Sequence, residues 1–181
     1  MEKQQLQREL HEVHNNFISF LAKLSGATYS RALPGRWSAG QHLDHILKSV
    51  TAVNRGITNA KFMQPVEQVI SNRAPMDISG LQALYRQKAG GGATAPPQFA
   101  PGDAGWRERE QLFMNVEAAV NELCQMITDL PDAQLDGLAL PHPLLGWLSL
   151  REMMYFTIFH GAHHFDLAKK AVLENDVLVT K

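Results

Sequence analysis

Apolar residues recur at steps of three and four along residues 3–25, where Leu6, Leu10, Val13, Phe17, Leu21 and Leu24 stand among charged and amide side chains. That spacing predicts an amphipathic helix of about six turns. A second helix has a sharper start at Ser38-Ala-Gly-Gln41, a capping-box sequence in which Ser and Gln satisfy each other's free backbone N–H groups, with Trp37 placed as a hydrophobic staple. From Ser38 to about Ala60 its stripe is Leu43, Ile46, Leu47, Val50, Val53 and Ile57, and Asn59 or Gln64-Pro65 closes it. Residues 61–105 then lose the period, broken by Pro65, Pro75, Gly80, Gly90-Gly-Gly92, Pro96-Pro97, Pro101, Gly102 and Gly105. Only Ile78–Lys88 has the pattern of a short helix, and so long a connection in a small domain reads as a lid, a binding loop or a linker. Gly90-Gly-Gly92 lacks the Lys and Ser/Thr of a phosphate-binding loop, so it reads as flexible linker.

Helical spacing returns from Trp106 to Leu130 through Leu112, Val116, Ala119, Leu123, Met126 and Ile127, until Pro131-Asp132 ends it. After a turn-rich stretch containing His142-Pro-Leu-Leu-Gly-Trp147, a second capping box, Ser149-Leu-Arg-Glu152, opens a helix to roughly Leu173. Four long helices with no strand and no repeat predict an all-α four-helix bundle. It forms a single domain over residues 1–181, with a long irregular insertion, 61–105, between helices 2 and 3.

The chain of 181 residues is 45% apolar and 19% charged, enough to bury a core without disulfides or a structural metal. A metal, if bound, is therefore functional. Seventeen basic against eighteen acidic side chains leave a net charge of −1, which supplies no field for neutralising nucleic-acid phosphates. No stretch of about 18 apolar residues runs without a charge, and the N-terminus lacks the apolar run of a signal peptide, so neither a membrane nor export is expected. The expectation is a cytoplasmic protein. Cys124, the single cysteine, sits at helical spacing from Leu123, Ile127 and Leu130 and reads as a packed residue.

The eight histidines are clustered: His42 and His45 fall on the second helix, and His160, His163 and His164 on the last. Residues four apart stack on one helix face, so His160 and His164 can aim imidazole nitrogens at a common point. A third His from a facing helix would complete an open three-nitrogen site for a divalent metal. The plainer reading of such a pair is that each ring bonds a carbonyl or hydroxyl and packs. For the third ligand, His42 lies near the edge of the Leu43/Ile46/Val50 stripe, whereas His45 lies off it among Gln41, Ser49, Ala52 and Gly56. Periodicity leans slightly to His42, and a small-residue face can also line a cavity.

Trp37-Ser-Ala-Gly-Gln-His-Leu-Asp-His45-Ile46, then His142-Pro143 with Gly146, then His160-Gly-Ala-His163-His164 together resemble the DinB/YfiT-like metalloenzyme superfamily, and within it DinB-like members of unassigned function. The resemblance covers most of the chain as ordered motifs. It implies a four-helix bundle, commonly a homodimer, with one divalent metal ion, Zn²⁺ or Ni²⁺, held by His45, His160 and His164. Relatives include S-transferases that use low-molecular-weight thiols, a thiol-dependent isomerase and an amidase-like hydrolase, so the implied activity is a metal-dependent transferase or hydrolase that activates a thiol or a water for a small-molecule substrate. The alternative is a non-catalytic metal- or ligand-binding dimeric bundle. Many relatives carry a Gln about three residues after the final His, where this chain has Leu167.

Other residues carry weaker expectations. His42, His142, His163 and Phe156 are candidates for pocket or supporting roles around the metal, with Met153, Met154 and Phe159 as plain core or pocket wall. His11 and His14 read as surface side chains of the first helix. Arg31, Arg36, Arg73 and Arg86 come from loops or loop edges that can reach an anion, although solvated charge is the ordinary reading. Neither a Ser-His-Asp set nor a carboxylate pair stands out, so a metal would carry the chemistry.

Overall fold

A computed structural model gives the fold, and it describes residues 1–90 and 94–179, with backbone alone for 175–179. In chain order the elements are α1 (Lys3–Leu21), α2 (Gly26–Ser30), α3 (Ala39–Thr58), β1 (Gln64–Pro65), α4 (Val66–Val69), α5 (Ile78–Ala89), α6 (Arg109–Asp129), α7 (Asp132–Gly137), β2 (Leu138–His142), β3 (Gly146–Ser149) and α8 (Leu150–Val179). Single 3₁₀ turns occur at Pro97–Phe99 and Trp106–Glu108. The chain is mostly helical, as its periodicity predicts.

Four long helices make the core. α3 packs against α6 and α8, and α1 packs against the same two. Leu6, Leu10, Phe17 and Leu21 of α1 are fully buried, so the stripe read from the sequence is the packed face. Phe17 stacks on Phe165 of α8 at 5.3 Å, and Gln7 donates to the Cys124 carbonyl of α6 at 2.9 Å. α1 stops at Leu21, short of residue 25, because Ser25 begins a new helix by accepting the Thr28 N–H. Cys124 is a packed residue, its thiol pushed up to about 11 by burial.

Both capping boxes form. Ser38 Oγ accepts from Gln41 N at 3.2 Å while Gln41 Oε1 accepts from Ser38 N at 2.9 Å, and the Trp37 ring lies 5.4 Å from His42 in the next turn. At the head of α8, Glu152 N donates to Ser149 Oγ and Ser149 N to Glu152 Oε2. The buried Glu152 carboxylate also takes Arg73 Nη1 at 2.5 Å, Arg73 Nη2 at 2.8 Å and Met76 N at 2.7 Å. Burial alone would raise this carboxyl, but the guanidinium and the amides outweigh it and hold it below the usual carboxylate value. The start of α8 thus anchors the segment that leads into α5. Arg73 is a structural tie rather than a free anion-binding group.

The expectation of no strand is corrected: β1, β2 and β3 form a small antiparallel sheet, with Gln64 opposite Ala139 and Leu140 opposite Leu148. Leu138-Ala-Leu-Pro-His142 has no polar alternation and therefore no period-two signal. It pairs because Ala139, Leu140 and Leu148 are buried, and buried backbone groups need partners. Within 61–105 the described residues are also more ordered than their composition predicts. α5 runs Ile78–Ala89, close to the predicted helix, with Asp77 capping Gly80 N, and it lies against α8. Of the Gly90–Gly92 linker, Gly91 and Gly92 lie outside the described residues. α8 continues past Leu173 to Val179.

Candidate metal centre

Packing of α3 on α8 brings His45 over the i,i+4 pair His160 and His164. One nitrogen from each of the three rings lies within 4.8 Å of the others, and all three residues are buried. His45 Nε2 stands 3.2 Å from His160 Nε2, and the His164 ring centroid is 4.5 Å from His45 and 4.6 Å from His160. This is the set named from the resemblance, and it is a group of side chains that can hold a metal ion.

The surrounding contacts decide which nitrogens are free. His45 Nδ1–H donates to the Phe99 carbonyl at 2.7 Å, because a carbonyl only accepts; the ring proton is therefore on Nδ1 and the Nε2 lone pair faces His160. His164 Nδ1 lies 2.9 Å from His42 Nδ1, where one donates and the other accepts. Metal-ligating imidazoles characteristically give their second nitrogen to such a partner, which fixes tautomer and ring orientation. Burial keeps the group neutral: it pushes His42 down to about 4, lowers His45 and sends His160 and His164 well below the usual imidazole value. Neutral rings have the lone pairs that a cation needs.

His42 and His45 both turn inward, one turn-edge apart on α3, and the choice that periodicity leaves open is made by depth. His45 reaches the cluster, whereas His42 stands behind it on His164 with Trp37 against its ring. His163 also lines the cavity but is not one of the three clustered rings, its own ring lying 5.2 Å from His164, 5.5 Å from Tyr85 and 5.8 Å from Phe159. Phe156 stacks on His160 at 4.9 Å and 25°.

The cluster opens on a cavity of about 1430 Å³, whose lining includes all three histidines, Phe62, Tyr85, Phe99, Phe156 and Leu167. Tyr85 of α5 and Phe99 of the 3₁₀ turn were not singled out by sequence reasoning. Tyr85 lies in the short helix that the spacing predicts and Phe99 in the stretch without a period, and no local pattern marks either as facing a site. Described residues of 61–105 thus form a wall of the cavity, fastened where Lys48 donates to Ala100 O and Asp44 accepts from Gly102 N.

His14 departs furthest from its expectation. It is 1% exposed instead of lying at the surface, and it also lines the cavity. Its Nδ1–H donates to Leu10 O at 2.7 Å, its Nε2 is sealed with no partner, and burial pushes it down to about 4. A Cβ on Gly161 would stand 3.3 Å from that Nε2, so the glycine makes the room that the ring occupies. Arg36 pairs with Glu174 at the cavity rim.

A family model described as the DinB superfamily matches residues 9–168. The chain belongs to the DinB superfamily. The matched span of this DinB chain includes all three histidines of the cluster, the His142-Pro143 segment and the α3 capping box. No curated protein and no solved structure matches the chain. At Leu167 the DinB cavity wall is apolar, so no amide is offered there.

Among the described residues, no helix of this DinB protein is long and apolar enough to cross a membrane.

Proposed function

We propose that the chain is a metal-dependent enzyme of the DinB four-helix-bundle type in which His45, His160 and His164 hold one divalent ion, zinc or nickel by the family resemblance, since three imidazoles suit several such ions. The observation that carries this reading is the convergence of three buried imidazole nitrogens within 4.8 Å on the wall of a large cavity. Three neutral nitrogens leave the ion's charge uncompensated, and such an ion lowers the pKa of a thiol or a water, which is the chemistry of an S-transferase or a hydrolase.

The protein's own groups do the rest. The Phe99 carbonyl holds His45 in the tautomer that presents Nε2, and His42 orients His164. Phe156 packs on the face of the His160 ring. Tyr85, Phe62, Phe99 and Leu167 form a largely apolar wall that displaces water and strengthens every charge interaction inside. A low-molecular-weight thiol as co-substrate and a homodimer as the assembly are parts of the same proposal, resting on the family.

Elemental analysis of protein purified without a metal-affinity tag tests it, beside His160→Ala and His42→Ala. The expected result is one divalent ion per chain, lost in His160→Ala and retained in His42→Ala. Absence of metal after incubation with Zn²⁺ and Ni²⁺ would overturn the reading in favour of a non-catalytic bundle.

A further inference from the structure

The His142-Pro-Leu-Leu-Gly146 turn is not used by the metal site, yet it aims a polar group into the same cavity. β2 and β3 pair His142 with Gly146, whose φ of 78° is the left-handed conformation that closes such a hairpin at no steric cost to glycine. Inside the turn, Leu144 N and Leu145 N both donate to His142 Nδ1, at 3.2 and 3.1 Å. An imidazole nitrogen that accepts carries no proton, so in the neutral ring the proton sits on Nε2, at the opposite edge. The ring is fixed by Phe156, 4.4 Å away at 66°, and Phe156 in turn stacks on His160.

Nε2–H makes no hydrogen bond among the described residues, and unlike His14 Nε2 it is not sealed from solvent. His142 lines the cavity, one aromatic ring away from the histidine cluster. The turn therefore presents a donor of fixed tautomer in a mostly apolar space, and a group held there without a protein partner is one that a ligand can satisfy.

We propose that His142 Nε2–H is the binding contact for a carbonyl oxygen, and that the cavity takes neutral carbonyl compounds with an apolar body. The assignment rests on the proposed site in placing the substrate beside the cluster, but the contact itself needs only the turn and the cavity. A neutral oxygen fits better than a carboxylate because three of the four lining cations already face carboxylates: Lys48 faces Asp44, and Arg36 and Lys170 face Glu174. The fourth, Arg55, adjoins Gly56, which packs against Leu140 of β2, and benzoate is the probe that it would favour.

The experiment compares two probes of nearly equal shape, acetophenone and α-methylstyrene, in which a CH₂ replaces the oxygen, together with benzoate. Affinities are read by ligand-observed NMR on the full chain, as purified and after zinc loading, for wild type and for His142→Phe, which keeps the ring contact to Phe156. Wild type is expected to bind acetophenone about fivefold more tightly than α-methylstyrene, the factor that one net hydrogen bond supplies. In His142→Phe the ratio falls to about one while α-methylstyrene affinity stays within about twofold. A long-range ¹H–¹⁵N correlation of the wild-type imidazoles should show His142 as the Nε2–H tautomer and its resonance moving with acetophenone only.

Equal affinities in wild type, a ratio that survives in His142→Phe, tighter binding of benzoate, binding of neither probe, or an Nδ1–H tautomer would each overturn the assignment. The wild-type arms need no variant to fold. Zinc content of the same samples separates the two readings: a His142-dependent preference in a chain that takes no zinc sinks the metal site alone, and a zinc-binding chain without the preference sinks this contact alone.

Discussion

Replacing His14 with Leu should change how the fold responds to acid by an amount the structure sets. His14 has an ordinary value of 6.5 in the unfolded chain and about 4 in the fold, because burial penalises the charged ring. Between those values the unfolded chain binds a proton that the native state refuses, so stability is full above the unfolded value and falls as pH drops towards the folded one. From about pH 7.5 to about pH 5 that single linkage removes about 2 kcal/mol. Leu has no proton to take up, so His14→Leu should lose about 2 kcal/mol less than wild type over the same interval. At neutral pH the exchange should stay within about 1 kcal/mol, because deleting an unpaired buried acceptor offsets an imperfect fit against Gly161. Leu10 O loses only the ring contact and keeps its helical bond. Urea unfolding followed by far-ultraviolet circular dichroism, with a chelator present to keep metal linkage out, reads the difference. Parallel pH dependences in the two proteins would refute the reasoning, since they would mean that His14 is not the neutral buried ring described.

Three further outcomes follow from other contacts. Glu152→Ala breaks the tie among Arg73, Met76 N and Ser149 N and should cost about 3 kcal/mol, the lower end for a broken buried pair because Arg73 is part-exposed. Calorimetry should show a fall of about 6–12 °C in thermal midpoint. That tie is present above the unfolded carboxyl's pKa and disappears as pH falls through the lowered folded value, so the gap between wild type and variant should close in acid. Gly40→Ala would place a Cβ 2.4 Å from the buried Tyr29 ring and should destabilise by about 3 kcal/mol, measured by the same urea titration. On the proposed site, where His42 would support the ligand His164 without being one, His42→Ala should weaken zinc binding by about 10–100-fold without abolishing it, as competition with a chromophoric chelator would show.

Much of the candidate site was legible because helix periodicity converts spacing into direction. His160 and His164 are four apart and therefore share a face, and Ser38/Gln41 and Ser149/Glu152 set where their helices begin. What spacing does not carry is depth across an interface. His42 and His45 both turn into the protein, and only the distance between α3 and α8 makes one a member of the cluster and the other its support. His14 was misjudged for a related reason: a lone imidazole near a helix start looks like surface until the glycine that makes room for it, Gly161, is found on a helix almost 150 residues away. The strands β2 and β3 are too short and too apolar to show a period.

The sequence by itself determined the long helices, their capped starts and the histidine pair, because each depends on contacts within about four residues along the chain. Tertiary structure alone decided which α3 histidine meets that pair, that Phe99 and Tyr85 wall the cavity, and that the His142 turn faces it. The contacts of His42 and His45 join residues 54 to 122 apart, and they depend on how the helices pack rather than on any local pattern.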